Sequence, residues 1–322
     1  MSKFEELFKA GRVVVGDGGL GTMLQRAGLK QGEVPELWNL THPAEVQRIH
    51  EEYVRAGAQV VETNTFGCNE MRLPDDLKGR AEEIARAGAE LCRRAVAGAA
   101  AVLVAGSIGP TGKLPQPLGD LTEAAARKAF CAQARGLLEG GADFILVETM
   151  TSLEEAEYAV KGVLDAAAEV GSAADVRICV TMSFAVNKRR GIVRTPMGVS
   201  PAQLAEMCAK YRPQVFCVGH NCGNGLGEAG KIAAALVEAA SSKAGGLLVA
   251  TQCNAGMPKL GADGASTVYD STEEDFVRYF DEMRAAGVTY IGGCCGSRPE
   301  HIKALRKRAD EAETETETKE VN

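Results

Sequence analysis

The chain has 322 residues, 45% hydrophobic and 5% aromatic, an ordinary composition for a globular protein with a sizeable core. Its formal net charge of -7 argues against nucleic acid or an anionic membrane as the main partner, since both require a basic face. No apolar stretch is long enough to span a bilayer, the first residues carry no apolar secretory core, and the ten cysteines lack the spacing of a disulfide framework. We therefore expect a cytoplasmic protein.

Short β-branched runs alternate with longer alanine-rich segments along the chain, which predicts alternating strands and helices. Thr41 and Ser200 are predicted helix N-caps, and Ala-Gly or Gly-Gly pairs follow several helices as C-cap signals. Eight strand-helix units in sequence predict a single (β/α)8 barrel of the TIM type, with its active site on the loops after the strands. The predicted strands are 13–15, 60–61, 102–104, 144–147, 176–180, 215–218, 247–249 and 288–291; the clearest helices are 42–56, 122–139, 153–168, 201–210 and 273–286.

The last residues differ in composition from the rest of the chain. Residues 309–322 are acidic, repetitive and without an apolar face, a pattern typical of disorder. We therefore expect the barrel to occupy residues 1–308 and a disordered acidic tail to follow over residues 309–322.

Three cysteines stand at the ends of the sixth and eighth predicted strands: Cys222, and the adjacent pair Cys294 and Cys295. Neighbouring side chains on a strand point to opposite faces, so one metal could bind both members of the pair only where the strand breaks, and the flanking glycines allow that break. Three thiolates without a fourth protein ligand predict a zinc site with one open position, as in catalytic zinc sites. The alternatives are buried free thiols or a strained disulfide within the pair.

A glycine-rich stretch near the N-terminus permits a second interpretation. Residues 16–21 fit the pattern G-x-G-x-x-G of a dinucleotide-binding fold and follow a strand. Residues 22–39, however, contain no strand that ends in an acid at the required distance. We prefer the barrel, in which Asp17 projects into the site from the end of the first strand.

From about Phe4 to about Ala304 the chain resembles the zinc-dependent homocysteine S-methyltransferases. Two of its motifs, residues 63–67 and 108–112, look most like the homocysteine-binding module of cobalamin-dependent methionine synthase. The motifs that carry the resemblance are residues 17–22, 63–67, 106–112, 197–201, 221–222, 254–256 and 292–296.

This resemblance implies zinc-dependent methyl transfer to the thiol of homocysteine, giving methionine. It implies that Cys222, Cys294 and Cys295 are the catalytic zinc ligands and that homocysteine sulfur takes the open position. Asp17 and Glu148 match positions that hold the amino acid end of homocysteine. The implied substrate-binding residues are Asp17, Gly18, Ser107, Glu148 and Asn221.

The expected methyl donor is methylcobalamin on a separate corrinoid protein, because this chain lacks the folate-binding and cobalamin-binding modules of full methionine synthase. The enzyme alternatives are S-methylmethionine- or betaine-dependent transfer, and corrinoid-linked catabolic transfer with another thiol. A zinc-binding structural or regulatory barrel is the alternative from another class. Two features depart from the family pattern: Cys253, which precedes the 254–256 motif, and the basic segment 186–194.

Overall fold

The computed structural model describes residues 3–9, 12–99, 101–261 and 267–321, without the side chains of Asn224 and residues 316–321. Its strands are short and separated by helices, as the alternating sequence pattern predicts. In chain order they are β1 (Val14–Val15), β2 (Val60–Glu62), β3 (Leu103–Ile108), β4 (Phe144–Met150), β5 (Ile178–Met182), β6 (Ala185–Asn187), β7 (Ile192–Arg194), β8 (Val215–Gly225), β9 (Leu248–Asn254), β10 (Lys259–Leu260), β11 (Thr267–Val268) and β12 (Tyr290–Gly293).

The helices lie between the strands and pack on the outside of the central sheet. Among the described residues, three short 3-10 helices accompany them, at Pro35–Leu37, Asp75–Leu77 and Leu226–Glu228. The α-helices are α1 (Lys3–Leu7), α2 (Leu20–Arg26), α3 (Trp38–Thr41), α4 (Pro43–Arg55), α5 (Ala81–Ala95), α6 (Glu123–Glu139), α7 (Leu153–Glu169), α8 (Pro201–Ala209), α9 (Ala229–Lys243), α10 (Glu273–Ala286) and α11 (Pro299–Val321).

Eight strands form one sheet in the order β1-β12-β9-β8-β5-β4-β3-β2, and the neighbouring pairs are parallel. A parallel bridge between Gly16 and Val60 joins the first strand of this order to the last, and the Gln59 N–H donates to the Val15 carbonyl at 2.7 Å. The sheet therefore closes on itself. The predicted (β/α)8 barrel is confirmed, and each of the eight predicted strands has its counterpart in the ring.

The predicted helix ends agree closely with the structure where a side chain caps the first turn. The Thr122 hydroxyl accepts from the Ala125 N–H at 3.2 Å, and Ser200 forms a reciprocal capping box with Gln203. The predicted cap at Thr41 is wrong: Thr41 ends α3, and α4 starts after His42 with Pro43 in its first turn. Proline suits that position because its missing N–H would have no partner within the helix.

The barrel interior is apolar at one end and polar at the other. Helix α1 closes the end where the strands begin, because Phe4 and Phe8 pack against Phe144 and Phe216, with ring centroids 4.8 Å apart for Phe4 and Phe216. Burying one such side chain contributes roughly 1.5–3 kcal/mol. A functional site is therefore expected at the opposite, polar end, where the strands finish.

The C-terminal segment differs from the expected disordered tail. Helix α11 continues to Val321, and Ala309 and Ala312 are buried in the main core. The Arg308 guanidinium reaches Asp281 of α10 at 2.8 Å. The sequence did not predict this helix because its apolar face consists of only two small residues, Ala309 and Ala312, within a repetitive acidic stretch. The assignment of residues 1–308 to the barrel stays a prediction, and Asn322 lies outside the described residues.

No helix among the described residues combines the length and the apolar character needed to cross a membrane.

Candidate active site

Three thiols meet where β8 and β12 finish. The Sγ atoms of Cys222 and Cys295 are 3.9 Å apart, and the sulfurs of Cys222, Cys294 and Cys295 all lie within 4.8 Å of one another. Within the described part of the chain, no other group of His, Cys, Asp or Glu ligand atoms meets this spacing. Tetrahedral zinc with Zn–S bonds of about 2.3 Å holds its sulfurs about 3.8 Å apart, so the cluster has the dimensions of such a site.

The backbone brings both members of the vicinal pair to one side because the strand stops before them. β12 ends at Gly293, and Gly296 has a φ of +79°, so Cys294 and Cys295 lie in a turn rather than on a pleated strand. Cys222 itself has a φ of +58°, which is uncommon for a residue with a side chain. The break expected from the flanking glycines is confirmed.

Hydrogen bonds among the three thiols shift their pKa values. Hydrogen bonds from the Cys294 and Cys295 thiols to the Cys222 sulfur hold the pKa of Cys222 far below its usual range. The same interactions raise the pKa of Cys294, because its proton is shared with the Cys222 sulfur. The cluster therefore accommodates a thiolate, which is the form that binds a metal.

A cavity of about 420 Å³, here called the mouth cavity, opens over these thiols. This volume falls in the range of small-molecule sites, roughly 300–1,000 Å³. Every residue of the predicted site except Asp17 lines it. Its lining residues are Gly18, Gly19, Leu20, Gly21, Thr22, Gln25, Pro35, Glu36, Glu62, Thr63, Asn64, Thr65, Phe66, Ser107, Glu148, Thr149, Asn221, Cys222, Gln252, Thr267, Tyr269, Gly293, Cys294 and Cys295.

Glu148 is held in the mouth cavity by a network of hydrogen bonds. The Ser107 hydroxyl donates to its Oε1, and the Asn221 Nδ2 donates to its Oε2 at 2.8 Å. Burial raises the pKa of Glu148 to about 7. The Asn221 Oδ1 accepts from the Thr149 N–H and the Thr181 hydroxyl, each at 2.7 Å, so Asn221 positions the acid from the strand that carries Cys222.

Asp17 lies behind the mouth cavity rather than on its surface. Its side chain is buried, and its Oδ2 accepts from the Glu62 N–H at 2.9 Å. Its Oδ1 has no hydrogen-bond partner among the described residues, and burial raises its pKa well above the usual range. The structure brings Asp17 to the predicted strand end but separates it from the lining of the cavity.

The lining residues outside the predicted set include Glu62, Gln252 and Tyr269. Glu62 stands two residues after Val60, which faces the barrel interior, so the period of two in a strand assigns it to the same face. Gln252 likewise follows Ala250, an interior residue of β9. This alternation could be read from the sequence. No sequence pattern around Tyr269, which follows β11, predicted that it lines the cavity.

The two departures from the family pattern have positions outside the thiol cluster. Cys253 alternates with Gln252, so its side chain is buried in the outer core, where burial raises its pKa to about 12. It is not part of the group of three sulfurs. The basic segment 186–194 includes β6 and β7, an antiparallel hairpin that follows β5 on the same end of the barrel as the cavity.

The segments at the ends of β2 and β3 are joined by hydrogen bonds. The Ser107 N–H donates to the Thr63 hydroxyl at 3.0 Å, and the Gly109 N–H donates to the Phe66 carbonyl at 2.9 Å. An added Cβ at Gly109 would lie 2.5 Å from the Phe66 ring, so a glycine is required for this approach. These motifs therefore fix the wall of the mouth cavity beside Glu148.

Replacing Gly296 by alanine should destabilise the protein and weaken metal retention. Its φ of +79° disfavours a side chain, and a Cβ there would lie 2.2 Å from the Tyr269 Cγ. Such strain is of the order of 1–3 kcal/mol, which should appear as a lower Tm. Gly98→Ala is the matched control, because a Cβ at Gly98 meets nothing within 4 Å. Equal Tm and metal content in both variants would show that the turn tolerates a side chain.

The site and fold define a class of protein that sequence comparison identifies directly. Residues 14–309 match the family model described as Homocysteine S-methyltransferase. The chain belongs to the homocysteine S-methyltransferase family.

Individual relatives agree with this class. The chain is 34% identical over 310 residues to the methionine synthase of Mycobacterium leprae, an alignment that covers 92% of this chain and 24% of that protein. It is 34% identical over 307 residues to the methionine synthase of Mycobacterium tuberculosis, covering 91% of this chain and 24% of the relative. The chain thus spans about a quarter of the length of the methionine synthases it matches.

Solved structures give the same fold. The homocysteine methyltransferase MmuM from Escherichia coli, in its metallated form, superposes with a TM-score of 0.72 at 22% identity, covering 95% of this chain and all of that one. Its apo form superposes with a TM-score of 0.68 at the same identity. A methyltransferase from Methanosarcina mazei follows with a TM-score of 0.53 at 14% identity. At these identities the likeness concerns the fold.

Proposed function

We propose that this protein transfers a methyl group to the sulfur of homocysteine, giving methionine, at a zinc ion bound by Cys222, Cys294 and Cys295. The observation that carries the proposal is the group of three sulfurs within 4.8 Å of one another, opening onto a cavity that also contains buried carboxyl groups. A thiol acceptor with an amino acid end matches both features.

When bound, zinc would keep a thiol at its fourth position deprotonated near neutral pH and fix it for attack. The protein contributes position: Cys222, Cys294 and Cys295 would hold the ion, and the mouth cavity opens over their sulfurs. The acceptor sulfur forms a bond to the methyl carbon while the bond from that carbon to the donor breaks, and the electron pair leaves with the donor. The thiol proton goes to solvent.

The amino acid end of the acceptor is assigned to the acidic side of the cavity. Glu148 lies in the cavity wall, and Ser107 and Asn221 donate hydrogen bonds that hold its carboxyl group in place. Asp17 supports this wall through the Glu62 N–H. The glycine-rich turn that contains Gly18 lines the cavity as well, where its backbone amides are suited to the substrate carboxylate.

The methyl donor we propose is a methylated corrinoid carried by a separate protein. Similarity to methionine synthases over about a quarter of their length supports this choice. The surface around the mouth cavity supports it too, because the exposed large hydrophobic side chains of the described residues all follow β3, β5 or β9, at the end where the strands finish. They are Leu114, Leu118, Ile192, Met197, Met257, Leu260 and Val268.

A comparison of donors tests this proposal. Purified zinc-loaded protein with homocysteine should form methionine slowly with free methylcobalamin and faster with a carrier-bound methylcorrinoid at matched concentration. S-methylmethionine and betaine serve as parallel donors, and protein stripped of metal is the control. Rapid turnover with either small donor and none with methylcobalamin in both forms would reject the corrinoid donor. No methionine with any donor would reject the acceptor as well.

A further inference from the structure

Glu62 is one of two acids besides Glu148 that line the mouth cavity, the other being Glu36, and the predicted site included neither. Glu62 ends β2, is half-buried and lines the cavity. The Gln252 Nε2 donates to its Oε1, and the Glu62 backbone N–H donates to the Asp17 Oδ2 at 2.9 Å. Asp17 thus holds the backbone at this point, while the carboxyl group of Glu62 faces the cavity.

Gln252 adds a hydrogen-bond acceptor that no group among the described residues uses. Its side chain is 2% exposed and lines the cavity, and its Oε1 has no hydrogen-bond partner among the described residues. Its Nε2 contacts both Glu62 and, at 3.4 Å, the Tyr290 hydroxyl, which fixes the orientation of the amide. A buried carbonyl oxygen without a donor carries a free-energy penalty that a ligand N–H would remove.

The group that fits this wall is a primary ammonium. Such a group offers three N–H donors and no acceptor, and Glu62, Glu148 and the Gln252 Oε1 offer three acceptors along one cavity. A trimethylammonium group has no N–H to donate and would leave the Gln252 Oε1 without a partner. A metal ion is less suitable, since among the described residues these carboxyl groups belong to no group of three or more ligand atoms within 4.8 Å of one another.

We propose that Glu62, oriented by Gln252, recognises the ammonium group of the acceptor and makes the site selective for thiols that are α-amino acids. The proposal rests on the proposed function and adds a selectivity residue to it. Glu62 and Glu148 both line the cavity, whereas Asp17 lies behind it and accepts a hydrogen bond from the Glu62 backbone N–H.

The charges around Glu62 support this role. Burial first, and then the charges of Glu148 and Asp17, raise the pKa of Glu62 well above its usual range. Simultaneous ionisation of Glu62, Glu148 and Asp17 is therefore unfavourable. An ammonium group relieves that repulsion, whereas an uncharged group of the same size does not.

The test compares two thioethers that need no metal for binding: L-methionine, and 4-(methylthio)butanoate, which lacks the amino group. Isothermal titration should show that the wild type prefers methionine. Glu62→Gln should lose about tenfold or more in methionine affinity, with the affinity for the des-amino compound unchanged or higher. Glu274→Gln, an exposed change on α10, is the matched control and should behave as wild type.

A second variant separates recognition from folding. Gln252→Leu keeps the Glu62 charge but removes both its donor and the unpaired carbonyl, so it should lose methionine selectivity to a smaller extent. Circular dichroism and metal content should match wild type in the Glu62→Gln protein used for titration. Equal losses for both thioethers, no loss for either, or no preference in the wild type would overturn the role of Glu62. The proposed function would fail through a different result: no methionine would be formed with any donor.

Discussion

Cys295→Ala should lose its zinc and lower methyl transfer to homocysteine by more than about 100-fold, beyond the 10–100-fold typical for residues that only support a metal ligand. The reason is geometric: the Sγ atoms of Cys222 and Cys295 are 3.9 Å apart, and no other sulfur of the described residues joins the group of three. Metal analysis should give about one zinc per wild-type chain and almost none in the variant. The fold should remain, since the barrel core does not involve the cluster.

The matched control for this experiment is Cys253→Ala. Cys253 is the next cysteine along the ring of strand ends, yet its side chain is buried in the outer core and burial raises its pKa to about 12. This variant should keep a full zinc content and lose only some stability through the small cavity it creates. Full zinc in Cys295→Ala, or loss of zinc in Cys253→Ala, would contradict the three-ligand site.

Glu148→Gln should raise the KM for homocysteine about 10- to 150-fold, the range expected when a hydrogen bond to a charged group worth about 1.5–3 kcal/mol is lost. The amide keeps the size of the side chain and can still contact Ser107 and Asn221, but it has no charge for an ammonium group. Zinc content should be unchanged. Steady-state kinetics with metal analysis on the same samples provide the measurement; an unchanged KM would remove Glu148 from substrate recognition.

The same variant should be more stable than wild type at neutral and alkaline pH. Burial raises the pKa of Glu148 from 4.5 to about 7, so its neutral form is favoured in the folded protein. The stability associated with that form is complete below pH 4.5 and is lost as pH rises to about 7, an amount of roughly 3 kcal/mol. Glutamine does not ionise, so thermal melts between pH 5 and 8 should fall less for the variant than for wild type. Parallel curves would contradict a buried, ionising Glu148.

Much of the fold could be predicted from the sequence because local patterns and tertiary structure agree. The eight β-branched runs became the eight barrel strands, and α10 begins and ends at the predicted residues, Glu273 and Ala286. Its ends were accessible because Thr272 caps the first turn and Gly287, with a φ of +93°, ends the last. The cap at Thr41 failed because the short helix α3 takes up that residue first.

The site residues could be predicted where residue type alone indicates their role. They could not be predicted where the register of a strand decides which side chain faces the cavity. Three cysteines next to glycines predict a thiol cluster, and the structure brings their sulfurs within 4.8 Å of one another. The placement of acids is different, since a strand end does not by itself tell which acid faces the cavity. Asp17 lies behind the wall and Glu62 in it, a distinction set by the pairing of β2 with its neighbours.

Asn221 connects the two halves of the site through one residue. Its backbone leads directly to Cys222, and its side chain donates to Glu148 at 2.8 Å while accepting from the Thr149 N–H. The distance between the thiol cluster and the acid is therefore set by one peptide unit and one hydrogen bond rather than by two independent loops. In the proposed reaction this fixed distance selects acceptors by the number of carbon atoms between their sulfur and their ammonium group.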